Sequence, residues 1–135
     1  MATGRWRNSG GSRREFIPSG EGSRRPQPSL NTANEIVIGT HQDLSGPIKV
    51  WGVPVSNGMK MATEEINAAG GIHGRKIKLI LEDSGYDPKR AVLASQKMVE
   101  RDKIFAMVGP MGSPTVLAAQ DILFDAGVMQ LFPLT

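Results

Sequence analysis

Short apolar runs alternate with helical periods from Glu35 to the end of the chain. The runs are bounded by glycine, proline or polar residues, as buried strands are, and they lie at 36–40, 76–82, 104–108 and 128–132. Between them, apolar residues recur every three or four positions, which is the period of an amphipathic helix. This alternation predicts an α/β fold with a partial doubly wound parallel sheet, in the order β-α-β-α-β-α-β with right-handed crossovers.

Three helices are predicted between these strands. The first begins at about Val53, after a loop over 42–52, and its apolar positions form one stripe: Val55, Met59, Ala62 and Ile66. The second begins at Asp87 and Pro88, because aspartate suits the N-cap and proline the first helical position. The third begins near Ser113.

The first 34 residues have a different composition from the rest of the chain. They hold six arginines against two glutamates and are rich in glycine, serine and proline, whereas residues 35–135 hold ten Lys/Arg against eleven Asp/Glu. We therefore interpret 1–34 as a disordered leader and 35–135 as the folded unit. No apolar run of the length of a secretory signal, about 7–15 residues, lies in the leader. The basic charge belongs to the leader, where contact with phosphates or acidic lipid is an alternative to a simple solvated tail.

Several classes of chemistry lack their residues. The chain has no cysteine, and its two histidines, His41 and His73, lie in different predicted elements, so no metal site is expected. No phosphate-binding glycine motif and no nucleophile elbow are present, so a nucleotide-dependent enzyme lacks its fingerprint. Acidic residues at 82, 83 and 87 are explained more simply by capping and loop solvation than by catalysis.

Ligands of open parallel sheets bind outside the carboxyl ends of the strands. Ser113 is the favoured candidate there, since a hydroxyl beside the positive pole of a helix suits a carboxylate. Pro114 removes one amide, so Thr115 and its neighbours would supply the backbone donors. Ordinary helix capping by Ser113 is the alternative explanation.

Other loops at the same edge add further candidates. Trp51 could cover an apolar or cationic ligand group, or it could cover the core of the lobe itself. Ser45 lies in a turn after the first strand, and Leu134 follows the fourth strand. We expect these residues to face one crevice with Ser113.

Three segments, in this order and with this spacing, resemble one known family: EIVIGTHQDLSGPIKVWG from Glu35, EEINAAGGIHGRKIKLILEDSGYDPKRAV from Glu64, and FAMVGPMGSPTVLAAQDILFDAGV from Phe105. The family is that of the type I periplasmic solute-binding proteins, in particular those that bind branched-chain amino acids for ABC importers. The resemblance implies a two-lobed receptor in the periplasm that captures a small amino-acid-like solute and delivers it to an ABC permease, without catalysis, cofactor, nucleic acid or membrane span. It also implies that the chain is a fragment, namely the first half of the amino-terminal lobe.

The resemblance assigns roles to three positions. Trp51 falls where the family has an aromatic residue beside the ligand, more often tyrosine. Ser113 falls on the hydroxyl residue that holds the ligand carboxylate, and Leu134 on a backbone position that completes this site. A ligand-sensing domain of a regulator or receptor shares the same fold and remains the main alternative. An α/β enzyme and nucleic-acid binding by the leader are further alternatives.

Overall fold

The computed structural model describes residues 5–7, 15–17 and 34–135. Within the leader, β1 (Arg5–Arg7) pairs antiparallel with β2 (Glu15–Ile17). The composition of the leader did not predict these two short strands. The other leader residues lie outside the described residues, so the disordered leader stays a prediction.

The predicted order of strands and helices is confirmed from residue 35 onward. The elements are β3 (Glu35–Gln42), α1 (Lys49–Ala68), β4 (Lys76–Asp83), α2 (Pro88–Glu100), β5 (Ala106–Val108), α3 (Ser113–Asp125) and β6 (Met129–Leu131). The strands form one parallel sheet in the order β4-β3-β5-β6. Their carboxyl ends therefore meet at one edge, as the sequence predicted.

The helices cover both faces of the sheet. A side chain at Gly39 of β3 would collide with Met98 of α2, whereas Gln42 reaches Met59 of α1. Since side chains alternate along a strand, α1 lies on the face opposite α2 and α3. The buried apolar core fills the face under α2 and α3, and its members are Ala94, Met98, Ile104, Met107, Ala119, Leu123 and Val128.

Helix α1 begins four residues before the predicted start. Its first residue is Lys49, not Val53, and Pro54 lies inside the helix. The reason is a contact between Asp43 and the loop that follows it, which the hydrophobic pattern does not reveal. The buried carboxylate of Asp43 accepts hydrogen bonds from the amides of Gly46 at 2.5 Å and Ile48 at 2.7 Å, which closes the loop early and orients the first turn.

The predicted apolar stripe of α1 is partly wrong. Ala62 and Ile66 are exposed, and the buried positions of the helix are Gly52 and Ser56. Val55 and Met59 of the stripe are half-buried, and small and polar groups of the helix also lie against the sheet. At its end the side-chain amide of Asn67 donates to the carbonyl of Ile77 in β4 and accepts from the amide of the same residue.

No helix in the described ranges combines the length and apolar character that crossing a bilayer requires.

Candidate functional site

A cavity of about 430 Å³ opens at the carboxyl edge of the sheet. Four successive loops contribute to it, one after each strand, and its lining residues are Ile48, Trp51, Val55, Tyr86, Met111, Gly112, Ser113, Leu134 and Thr135. No charged side chain is among these lining residues. The cavity therefore suits a solute with a substantial apolar part and a polar group that meets the helix end.

Ser113 lies at the cavity as predicted, but it is not the N-cap of α3. Gly112 holds the N-cap position, with φ 99°, and no side chain caps the helix. Ser113 is the first helical residue, exposed, and its hydroxyl makes no hydrogen bond within residues 34–135. Capping therefore does not explain this serine, and its hydroxyl is available beside first-turn amides that have no partner inside the helix.

The segment before Ser113 is held by backbone hydrogen bonds. The amide of Met111 donates to the His41 carbonyl at 3.0 Å, and the amide of Gly112 donates to the Leu134 carbonyl at 2.8 Å. The amide of Leu134 in turn donates to the Pro110 carbonyl at 2.9 Å. Leu134 thus lies in the cavity wall, but its N–H is already engaged with the protein.

Trp51 lies in the first turn of α1, not in the predicted loop. It is 68% exposed, so the alternative that it covers the core of the lobe is not what the structure shows. Its indole lines the same cavity as Ser113 and Leu134. The three positions that the resemblance singled out are therefore brought together.

Two further candidates lie outside the lining of this cavity. The Ser45 hydroxyl donates to the Asp83 carboxylate at 2.6 Å. Thr115 is fully buried, and its hydroxyl bonds to the carbonyls of Met111 and Gly112. Both side chains support the loops around the cavity.

Tyr86 lines the cavity and was missed at the level of sequence. It follows Gly85 in the loop after β4, and both residues have left-handed backbone, with φ 61° and 55°. The loops after the other three strands were predicted as binding loops, whereas this one was interpreted as solvated. An aromatic residue between the end of a parallel strand and the N-cap Asp87 was the signal that could have found it.

Asp83 connects the loop after β3 with the loop that carries Tyr86. Its carboxylate accepts hydrogen bonds from the side chains of Ser45 and Arg90 and from the amides of Leu44 and Gly85. Burial alone would raise the pKa of Asp83, but these bonds, with the Ser45 hydroxyl the largest contributor, lower the pKa to about 2. The carboxylate is therefore ionised across the physiological range and holds the loops after β3 and β4 together.

His41 is fully buried in β3, and neither ring nitrogen has a hydrogen-bond partner in the described part of the chain. Desolvation lowers the pKa of His41 from 6.5 to about 4, so the ring is neutral near pH 7. Residues 34–135 contain no group of three or more His, Asp or Glu side chains placed to hold a metal ion. The site described above is thus built from hydroxyl, amide and apolar groups.

Known proteins are similar to this chain in sequence and in fold. The family model of the periplasmic binding protein matches residues 35–134. The chain is 35% identical over 105 residues to an amino acid binding protein of Pseudomonas aeruginosa and 39% identical over 99 residues to the Leu/Ile/Val-binding protein BraC3 of Rhizobium johnstonii. These matches cover 78% and 73% of this chain, but only 28% and 27% of those proteins.

Solved structures of binding proteins also resemble this chain. The branched-chain amino acid transporter substrate binding protein LivJ from Streptococcus pneumoniae, in complex with isoleucine, superimposes with a TM-score of 0.71 at 32% identity. The alignment covers 76% of this chain and 30% of that one. The chain therefore spans less than a third of the length of these relatives, all of which are named as binding proteins rather than enzymes.

Proposed function

The chain belongs to the periplasmic binding protein family, and on this premise we propose that it supplies part of the solute site of an ABC-type importer's substrate-binding protein. The solute is a small amino acid or related carboxylate. This site binds without chemistry and without a cofactor. The bound solute is delivered to a membrane permease, and the protein works in the periplasm or its extracytoplasmic equivalent.

The free hydroxyl of Ser113 at the start of α3 is the observation that carries this proposal. The hydroxyl is exposed to the cavity and is not used for capping. A carboxylate placed there would accept a hydrogen bond from the hydroxyl and from the unpaired first-turn amides, and it would lie at the positive end of the helix dipole. Pro114 removes one amide, which makes the hydroxyl more important to the anion.

The apolar wall completes the argument for the solute class. Ile48, Val55 and Leu134 line the cavity near Ser113. An amino acid with a hydrophobic side chain would place its carboxylate at α3 and its side chain against this wall. No acidic side chain of residues 34–135 lines the cavity, so a partner for an amino group would come from outside this lining.

The test is a titration of the complete product of the gene that encodes this chain. Calorimetry with leucine, isoleucine and phenylalanine should give binding to at least one of them. Ser113→Ala should weaken this binding by about 10-fold or more, because a hydrogen bond to a charged group contributes about 1.5–3 kcal/mol.

Ser45→Ala is the matched control. It also removes a serine hydroxyl at the same edge of the sheet, but one that is engaged with Asp83 outside the cavity. We expect the affinity of Ser45→Ala to stay within about twofold of the wild type, since Ser45 does not line the cavity. Absence of binding to every amino acid and carboxylate tried, or an unchanged affinity of Ser113→Ala, would contradict the proposal.

A further inference from the structure

We propose that Tyr86 and Trp51 together form an aromatic slot that selects solutes with a flat aromatic side group over branched aliphatic ones. This inference rests on the proposed function, because it names the solute that the same cavity prefers. Tyr86 lies in the loop after β4, and Trp51 lies in the first turn of α1, the helix that follows the neighbouring strand β3. Both line the cavity, and no other aromatic residue of the described ranges does.

Tyr86 is held in a strained backbone conformation. Its φ of 61° lies in the left-handed region, which costs a bulky residue roughly 1–2 kcal/mol. Glycine would remove this cost, and Gly85 directly before it already shows that the loop uses glycine where it turns. A large ring kept at a strained position on the rim of a cavity indicates that the ring itself has a role there.

Hydrogen bonds on both sides fix the position of Tyr86. The amide of Gly85 donates to the Asp83 carboxylate at 2.9 Å, and the amide of Asp87 donates to the Ser84 carbonyl at 3.0 Å. The Asp87 side chain then caps α2 through the amides of Lys89 and Arg90. The ring therefore projects from a loop whose two ends are tied down.

The ring of Tyr86 lies directly against Gly112. A β-carbon at position 112 would come within 2.7 Å of Cε2 and 3.0 Å of Cδ2 of the ring. Gly112 is the N-cap of α3 and precedes Ser113, so the ring stands beside the place proposed for the carboxylate. A solute with its carboxylate at Ser113 would have its side group next to this ring.

Trp51 supplies the second ring. It is 68% exposed on the first turn of α1, and it lines the cavity together with apolar side chains such as Ile48 and Val55. Aromatic groups prefer offset-stacked or edge-to-face contact with other rings, which adds about 0.5–1.5 kcal/mol per pair beyond the area buried. Two such contacts favour a phenyl or indole group over an isobutyl group by more than the difference in their apolar areas.

The experiment measures selectivity rather than affinity alone. The complete gene product is titrated with phenylalanine and leucine, and the ratio of the two dissociation constants is compared between variants. We expect the wild type to prefer phenylalanine by about 10-fold or more. Tyr86→Leu keeps apolar volume but removes one of the two rings, so it should reduce the ratio about threefold or more while leucine binding changes less than about twofold.

Controls separate ring contact from loop stability. Tyr86→Phe keeps the ring and should keep the selectivity. Phe124→Ala removes an exposed aromatic side chain of α3 that does not line the cavity, so it should leave the ratio unchanged. In a Trp6→Phe background, where Trp51 is the one remaining tryptophan of this sequence, phenylalanine should change the fluorescence of Trp51 more than leucine does.

The outcomes distinguish this inference from the function on which it rests. Equal affinity for leucine and phenylalanine, or a Tyr86→Leu variant that loses both equally, would overturn the aromatic slot and leave solute capture intact. A protein that binds neither amino acid nor any other carboxylate would instead contradict the proposed function. Thermal unfolding of each variant shows whether a loss of selectivity is accompanied by a loss of folding.

Discussion

Gly112 is the residue on which the geometry around Ser113 depends most directly. Its backbone has φ 99° and ψ 121°, a conformation that only glycine adopts without strain. Its missing side chain also makes room for the ring of Tyr86 and the Thr115 hydroxyl, each within 2.8 Å of where a β-carbon would lie. Backbone conformation and close packing thus require glycine at the same position.

Gly112→Ala should therefore destabilise the fold. We expect the free energy of unfolding to fall by about 1–3 kcal/mol in urea denaturation, because alanine is strained in this conformation. Gly58→Ala is the control, since Gly58 lies in α1 and a β-carbon added there would have no neighbouring atom within 4 Å. Alanine there should raise stability by about 0.5–1 kcal/mol. Equal effects of the two substitutions would contradict this account of Gly112.

His41 should make stability depend on pH in mildly acidic solution. Its pKa is lowered from 6.5 to about 4 in the folded protein, so the unfolded chain binds more protons between these values. The stability from the buried neutral ring is complete above pH 6.5 and is lost as the pH falls toward 4. The loss should amount to a few kcal/mol at most, since one pKa unit corresponds to about 1.4 kcal/mol.

Denaturant titrations at about pH 7 and about pH 4.5 measure this dependence. His41→Gln removes the titrating ring and should show a flatter profile over this range than the wild type. Asp83 contributes in a separate window, because its lowered pKa places its loss of stability below about pH 4. Identical profiles for wild type and His41→Gln between pH 6.5 and 4 would rule out this role of His41.

The sequence predicted that Ser113, Trp51 and Leu134 line one cavity, and the structure places all three there. Position along the chain was sufficient for these because strand ends in a parallel sheet converge. The engagement of Ser45 with Asp83 and of the Leu134 amide with Pro110 could not be predicted, since both depend on distances between loops. Tyr86 was predictable from the same rule, which applies equally to the loop after β4.

At the scale of secondary-structure elements, the start of α1 shows how a buried carboxylate in the preceding loop sets a helix boundary. Asp43 is fully buried at the end of β3 and binds two amides of the loop that precedes the helix. Gly52 fits against it so closely that a β-carbon would lie 1.9 Å from the Asp43 carbonyl oxygen. The position of Trp51, one residue earlier, follows from this contact.

Asp43→Asn should loosen this start. The amide side chain offers one acceptor oxygen in place of two, so one loop N–H loses its partner, at a cost of about 1–3 kcal/mol. Hydrogen exchange at the amides of Gly46 and Ile48 should become faster, and Trp51 fluorescence should shift. Asp121→Asn changes an exposed aspartate of α3 and should alter none of these. Unchanged exchange in Asp43→Asn would contradict the assignment.

The elements themselves were largely predictable. The four strands and the starts of α2 and α3 follow from apolar runs, from Asp87 with Pro88, and from Ser113 with Pro114. The apolar stripe of α1 was predicted only in part. The fully buried residues of this helix are Gly52 and Ser56, and Asn67 bonds to β4, so the contact with the sheet does not depend on large apolar residues alone. A hydrophobic period reveals only the helix faces that are buried through apolar side chains.

At the scale of the whole molecule, apolar side chains lie on several surfaces of the chain. Among the described residues, seven large ones are more than 60% exposed: Val50, Trp51, Met61, Leu93, Leu117, Met129 and Phe132. Phe132, just after β6, is 76% exposed. The sheet order also leaves β4 and β6 each with one edge unpaired within the described residues. Exposed apolar groups beside an open strand edge favour association.

We expect the purified chain to self-associate as its concentration rises in sedimentation velocity. Met129→Lys places a charge on the edge strand β6 and should reduce association strongly. Met61→Lys, on the exposed side of α1 and 69% exposed, is the matched control and should have a smaller effect. A monomer at all concentrations, or equal effects of the two lysines, would contradict association through β6.

Asp43, which is buried, and Asp83, which bonds to two loops, also bear on the rate of solute binding. Asp43 and Asp83 hold the loops after β3 and β4 by hydrogen bonds that involve no solute. The conformational entropy of these loops is therefore lost when the chain folds and not when a molecule arrives. If the cavity binds a solute as proposed, this part of its surface is ready in advance, and we expect the rate of the first encounter to depend on diffusion and not on the ordering of these loops.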